Sequence, residues 1–195
     1  SLEETLVAAK VHAMAARIAA IHPDCVVVAV EEFIDEANVA ALIPPCHAVI
    51  DAIDNVRAKA ALIAHCRRSG ICIVTTGGAG GRSDPTRIEV ADLSRTTQDA
   101  LASKVRARLR KDYGFSRDPK KKFGVDCVFS PEQRLAPRFG EVPDEMPQAS
   151  GSDVPQPLEP AEPTGPQGLS CAGYGSDVTV TASFGFAAAA RVLAG

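Results

Sequence analysis

The sequence predicts an α/β chain built on a mostly parallel sheet with an antiparallel extension. Three observations predict it. Short apolar runs at 25–30, 48–53 and 71–76 alternate with segments of helical periodicity, the pattern of strands joined by helical crossovers. After Thr76 the rhythm breaks: a glycine loop at 77–81 leads quickly to another apolar run near 87–92, and strands joined by so short a connection pair antiparallel. At 195 residues, 46% apolar and 23% charged, the chain has ordinary globular composition and length for a single core.

Each element has a local reason. In 3–21, Leu6, Ala9, Val11, Met14, Ile18 and Ile21 fall near helical spacing, and His22-Pro23-Asp24 ends the helix. Residues 25–30 read as a buried strand. Residues 35–43 read as a short helix stopped by Pro44-Pro45. The strand at 48–53 feeds a helix over Val56–Ser69, with Asn55 as its N-cap and Gly70 as its C-terminal cap. A third strand follows at 71–76, expected to pair antiparallel with 87–92. A basic helix spans 98–112, and 125–129 is a further strand. From 131 to 168, prolines recur, acids gather in the later part and apolar residues are sparse. Such a segment buries too little surface to offset its ordering entropy, so disorder is expected. Val178–Leu193 reads as strand or helix, and its Ala content favours a closing helix. The implied organisation is one domain over 1–130, a crossover at 131–170 and the closing helix of the same domain at 171–195.

Bulk composition excludes some functions. A net charge of −3 gives no global nucleic-acid signal, so any basic footprint is local. Trp is absent and aromatics are 5%, which disfavours base-stacking platforms. No run approaches a membrane span, and no basic-then-apolar leader is expected. The six cysteines, at 25, 46, 66, 72, 127 and 171, contain no Cys-x-x-Cys pair. That argues against structural zinc and against a disulfide framework. Most are expected to be small buried hydrophobes in a reducing, cytoplasmic compartment.

The chemistry concentrates in Val49–Leu62, V-I-D-A-I-D-N-V-R-A-K-A-A-L. At the carboxyl end of a parallel strand, ligands bind in the crevice above the sheet edge. Asp54 stands at that rim, Asn55 caps the helix, and Lys59 is placed to face the crevice. A carboxylate to hold a metal and a lysine to hold phosphate suit Mg-nucleotide chemistry. A capped, solvated helix start fits the same residues. Lys10, read from its position alone, is a solvated surface lysine.

Other motifs carry two readings each. Gly77-Gly78-Ala79-Gly80-Gly81 fails the dinucleotide fingerprint, because Ser83 takes the final position and a strand follows. It is either a tight turn or a close backbone approach to substrate or sheet. Lys104, Arg106, Arg108, Arg110, Lys111, Arg117, Lys120, Lys121 and Lys122 form a basic stretch in which Asp112 and Asp118 are the only acids. It is a solvated face or a phosphate-contact strip for RNA, with Arg106, Arg110, Lys120, Lys121 and Lys122 as candidate contacts. Cys127, among Val125, Val128 and Phe129, reads as a buried strand residue rather than a nucleophile. Cys171 follows the proline-rich stretch and is expected to be exposed. His65 reads as core.

D-A-I-D-N-V-R-A-K resembles the D-x-x-D-N motif of the ubiquitin-activating-enzyme-like superfamily, the ThiF/MoeB-type adenylating enzymes. V-T-T-G-G-A-G-G-R-S-D-P-T at 74–86, G-V-D-C-V-F-S at 124–130 and T-A-S-F-G-F at 181–186 fit one branch, the tRNA threonylcarbamoyladenosine dehydratases. The resemblance runs from about 9 to 193 and fails only in the proline-rich part after Pro131. It implies a Rossmann-like sheet of order 3-2-1-4-5 and ATP-dependent cyclisation of a tRNA nucleoside through an acyl-adenylate. Asp54 matches the family's essential metal-linked aspartate, so ATP and Mg²⁺ are the implied cofactors and zinc is not. A-K-V-H-A-M-A-A-R-I resembles the segment whose lysine contacts ATP phosphates, which matches Lys10 to that role, and Lys59 falls where relatives carry Arg or Lys.

The implied partners are tRNA and a second copy in a homodimer, with room for a sulfur-transfer or cysteine desulfurase protein and no membrane. The family places a G-x-G-G-x-G loop, an acidic ribose ligand and an N-x-N-R-Q segment before the position of Lys10, and none is in this sequence. Together with the start at Ser1, this reads as a sheet truncated at the N-terminus and a fragment inactive alone. It also predicts that 25–30 either pairs directly beside 48–53 or has its edges covered by another chain. The alternatives are a sulfur-carrier-protein adenylyltransferase, for which a zinc pair and an acceptor cysteine would speak, and a non-catalytic α/β dimerisation module.

Overall fold

A computed structural model of the chain describes residues 9–133 and 175–195. The expectations for residues 3–8 of the opening helix, for nearly all of the proline-rich segment and for Cys171 lie outside the described residues. The chain forms two compact units that divide after Ile34.

In the first unit, helix α1 (Lys10–Ile21) carries no buried residue. His12 Nε2 meets the Glu31 carboxylate in an exposed contact that ties the helix to the segment after it. Residues 25–30, expected as a buried strand, form no strand. Val26 is 91% exposed and Val28 81%. A β-branched run becomes a strand only where its amides and carbonyls find a ladder, since β propensity is mostly packing and pairing. The direct pairing expected beside 48–53 is therefore absent from the sheet.

The second unit is a four-stranded sheet. Its strands are β1 (Ala48–Asp51), β2 (Cys72–Thr76), β3 (Glu89–Asp92) and β4 (Asp126–Phe129). Their order is β1-β2-β4-β3. β1 and β4 both run parallel to β2, and β3 runs antiparallel to β4. An antiparallel extension was expected, but its partner differs: β4 inserts between β2 and β3. β1 and β3 are the two edges, and exposed Glu89 discourages further pairing at β3.

Helix α2 (Val39–Leu42) is a single turn, shorter than the 35–43 expected. Helix α3 (Val56–Ser69) has the predicted bounds. Asn55 Oδ1 accepts from Arg57 N at 2.9 Å and Ala58 N at 3.1 Å, and Gly70 closes the helix at φ 69°. Helix α4 (Ala100–Asp112) buries Leu101, Ala102, Val105 and Leu109, one apolar stripe at helical spacing. Helix α5 (Val178–Leu193) is the closing helix.

Strand alternation sorts the faces. Val74 and Val128 meet Val180, Phe184 and Ala188 of α5 in one buried cluster. Asp51, Thr75 and Cys127 share a cross-strand line on the opposite face, where α3 packs through Lys59. The sheet is thus covered on both sides, which is what buried parallel strands require. Among the described residues no helix is long and apolar enough to cross a membrane.

Candidate nucleotide site at the carboxyl end of the first strand

Asp51 ends β1 and is 1% exposed, as is Lys59 one turn into α3. The Lys59 ammonium lies 2.9 Å from Asp51 Oδ2 and donates to the Ile53 carbonyl at 2.9 Å. It also reaches the Asp51 carbonyl at 3.4 Å. Thr75 Oγ1 donates to Asp51 Oδ2 at 2.6 Å, and Ile53 N donates to Asp51 Oδ1 at 3.0 Å. Every group that could leave the buried pair uncompensated is bonded, the condition under which such a pair holds.

This corrects the sequence expectation for Lys59. The side chain points inward, because β1, the turn and α3 leave it between a buried carboxylate and two carbonyls. Lys59 clamps the 51–53 turn from beneath rather than facing the crevice.

The clamp delivers Asp54 to the surface. Asp54 and Asn55 are exposed at the carboxyl end of β1, at the positive end of the α3 dipole. Asp54 makes no side-chain hydrogen bond or ion pair among the described residues. Lys10 opens α1 in the other unit and is also exposed.

The glycine loop after β2 resolves toward close backbone approach. A Cβ on Gly77 would lie 2.1 Å from Asp99 Oδ2 and 3.3 Å from Phe129 Cβ, so no side chain fits. Asp99 accepts from Gly78 N at 2.9 Å and Ala102 N at 2.8 Å, and it pairs with Arg82 at 3.2 Å. Arg82 also donates to the Gly78 and Gln98 carbonyls. Sequence reasoning passed over Arg82 and Asp99. Arg82 directly follows the loop, but Asp99 lies beyond β3, so no local sequence signal joins the pair.

Glu132, inside the stretch expected to be disordered, is 8% exposed. Its carboxylate accepts from Ser83 N and Asp84 N, at 3.2 and 3.1 Å. Burial pushes its pKa up, but these amides and the Ser83 hydroxyl outweigh burial and hold it below the usual value. The first residues after β4 are therefore packed against the loop, and the expectation of disorder fails at Glu132.

The basic stretch divides. Arg106 is half-buried and donates to Thr96 Oγ1. Arg110 lies 5.3 Å over the Phe123 ring and donates to the Ser116 carbonyl. Arg108 pairs with Asp112 at 2.7 Å. Arg110 thus holds the loop after α4, Arg106 the segment before α4, and Arg108 its own helix. Lys120, Lys121 and Lys122 are exposed.

Cys127 is buried, and burial first, then Asp99, pushes its thiol up to about 12. Cys66 is likewise buried, while Cys25, Cys46 and Cys72 are exposed. The expectation that most cysteines are buried fails for these three. Cys25 lies in the run that forms no strand, and Cys46 and Cys72 stand at the approach to β1 and the start of β2. His65 is half-buried.

A mostly parallel α/β sheet with a carboxylate presented at a strand end defines a nucleotide-binding type of fold. The ThiF family profile matches residues 3–193, and the chain belongs to that family. It is 45% identical over 195 residues to the tRNA threonylcarbamoyladenosine dehydratase of Escherichia coli K12, covering 99% of this chain and 68% of that protein. Against the Haemophilus influenzae enzyme of the same name, identity is 42% over 186 residues, covering 94% and 64%. The crystal structure of the E. coli dehydratase in complex with ATP superimposes with TM-score 0.77 at 41% identity, over 99% of this chain and 65% of that one. The AMP complex gives 0.79 at 42% identity, over 99% and 66%. The chain spans about two-thirds of the length of these relatives.

Proposed function

We propose that this chain carries part of the site for ATP-dependent dehydration of threonylcarbamoyladenosine in tRNA. The observation that carries the reading is Asp54, exposed and unengaged above the Lys59–Asp51 clamp, in a chain 45% identical to such a dehydratase. The threonyl carboxylate attacks the α-phosphate of ATP, forming an acyl-adenylate and releasing pyrophosphate. The neighbouring carbamoyl group closes on the activated carbonyl and expels AMP.

Asp54 fits Mg²⁺ as one carboxylate beside nucleotide phosphates, the usual environment of an ion that keeps most of its waters. No cluster of three or more His, Cys, Asp or Glu suited to a metal occurs among the described residues, so water and phosphate would supply the other ligands. Bound there, the ion would supply charge neutralisation at phosphate. Asp54 orients the nucleotide, and Asn55 fixes the helix start beside it; Lys10, in the other unit, takes its phosphate role from the family resemblance alone. Lys59 acts as a positioning residue through Asp51.

Lys120, Lys121 and Lys122 contact RNA phosphate in the same reading. Homodimerisation belongs to it through the family resemblance alone, and a cytoplasmic location through the cysteine usage. The competing reading, activation of a sulfur-carrier protein with a cysteine acceptor, is disfavoured by the burial and raised pKa of Cys127.

The test is tRNA-stimulated ATP–pyrophosphate exchange, run on the chain alone and fused behind the glycine-loop segment of a relative. Asp54→Asn keeps shape and removes charge. Exchange is expected to fall by at least a hundredfold, in line with loss of a phosphate-site electrostatic group, with the melting temperature unchanged. Wild-type exchange in Asp54→Asn would remove the assignment.

A further inference from the structure

Between the carboxyl end of α3 and the loop after α4 lies a cavity of about 310 Å³, lined by residues that include Arg67, Arg68, Tyr113, Ser116, Lys122 and Phe123. Three cations from two separate elements converge on it, and no carboxylate lines it. Among the described residues none of the three makes an ion pair, whereas Arg82, Arg108 and Arg191 all do. Two acids bond to lining residues from outside the lining: Glu36 accepts from the Tyr113 hydroxyl at 2.6 Å and Asp92 from Phe123 N at 2.9 Å.

Arg67 is seated. Gly124 stands at φ 69°, and a Cβ there would come 2.9 Å from Arg67 Nη2. The Gly124 amide donates to Asp92 Oδ2 at 2.7 Å, which fixes that backbone. Arg68 lies 6.0 Å over the Tyr113 ring, a contact that steadies its guanidinium. Basic residues in the last turn of a helix suit its dipole. That accounts for two arginines ending α3. It does not account for Lys122 arriving from another element, nor for the notch that receives Arg67.

We propose that this cavity binds a backbone phosphate of the RNA substrate; the proposal rests on the tRNA reading above. Two planar guanidinium forks and one ammonium match the oxygens and charge of a phosphodiester. The volume leaves room for part of the attached nucleotide beside Phe123. Exposed Lys120 and Lys121 continue the positive surface from the rim, so Arg67 and Arg68 extend the lysine strip onto α3.

The experiment uses the 195-residue chain and an unmodified tRNA transcript, with binding followed by fluorescence anisotropy between 50 and about 200 mM salt. Arg67→Ala/Arg68→Ala is compared with Arg17→Ala/Arg87→Ala, a control that removes the same charge from exposed positions outside the lining. The cavity variant is expected to bind roughly tenfold more weakly, with the log–log salt slope shallower by about 1. Lys122→Glu, on the opposite wall, is expected to change the slope in the same direction. Melting temperatures should match wild type, because all these side chains are exposed. Equal effects in the cavity and control variants, or none in either, overturn the cavity while wild-type binding keeps the tRNA reading. No salt-dependent binding by wild type removes the tRNA reading itself, and the cavity proposal with it.

Discussion

Residues 25–30, C-V-V-V-A-V, and β4, D-C-V-F, are both short runs rich in small and β-branched apolar residues, and they end in opposite states. Val26 and Val28 are 91% and 81% exposed, while Cys127 and Val128 are 0% exposed. β4 has a hydrogen-bonded neighbour on each edge. Val128 packs against α5, and its neighbours along the strand face the side of α3. The run at 25–30 joins no ladder. A hydrophobic run supplies a tendency to be buried, and pairing partners decide whether it becomes a strand.

The largest test of that contrast is a pair of substitutions. Lys59→Ala leaves Asp51 charged, buried and without its ammonium, and is expected to destabilise the second unit by about 3–5 kcal/mol. Val28→Ser, in the exposed run, is expected to stay within about 0.5 kcal/mol of wild type. Urea unfolding measures both. A loss at Val28 comparable to that at Lys59 would show that the run is packed in solution and break the comparison.

A smaller effect sharpens it from the side of the sheet. Asp92, ending β3, accepts from Ser94 N, Phe123 N and Gly124 N at 2.9, 2.9 and 2.7 Å. Burial raises its pKa, but the Ser94 hydroxyl and these amides outweigh burial and hold it below 3.8. A carboxyl lowered on folding stabilises fully above its unfolded pKa, and the contribution fades as pH falls through the folded value. Asp92→Asn is expected to cost about 1–3 kcal/mol at pH 7. The gap to wild type should narrow below about pH 4 as the wild-type carboxyl protonates. A gap that stays constant down to the acid unfolding of both proteins would show that the charge on Asp92 contributes nothing.

The smallest effect is chemical. Cys25, Cys46 and Cys72 are exposed and should alkylate at pH 8. Cys66 and Cys127, with thiols pushed up to about 11 and 12, should remain unmodified until urea unfolds the sheet. Mass spectrometry of peptides checks it. Labelling of Cys127 in the folded chain would place β4 in the same exposed class as 25–30.

The sequence by itself determined the bounds of α3 and the place of Asp54 just past the first strand. Asn55 and Gly70 bound α3 at both ends because capping is read from side chains a few residues away. Asp54 falls at the strand end because the apolar run stops at Asp51. The D-x-x-D-N pattern named the family for the same local reason. Tertiary structure decided what depends on residues distant in sequence. β4 enters between β2 and β3 although β3 precedes it, because the edge of β2 is open to any strand that can pair. Lys59 turns inward because Asp51 and Thr75, 24 residues apart, meet across two strands. Glu132 is held by amides 49 and 48 residues away, a contact that proline-rich composition could not reveal. Arg67 and Lys122 converge only after α3 and the loop beyond α4 have packed. Burial converts an unpaired charge into a large penalty, so the packed fold fixes which lysines and arginines are structural and which remain free to meet a ligand.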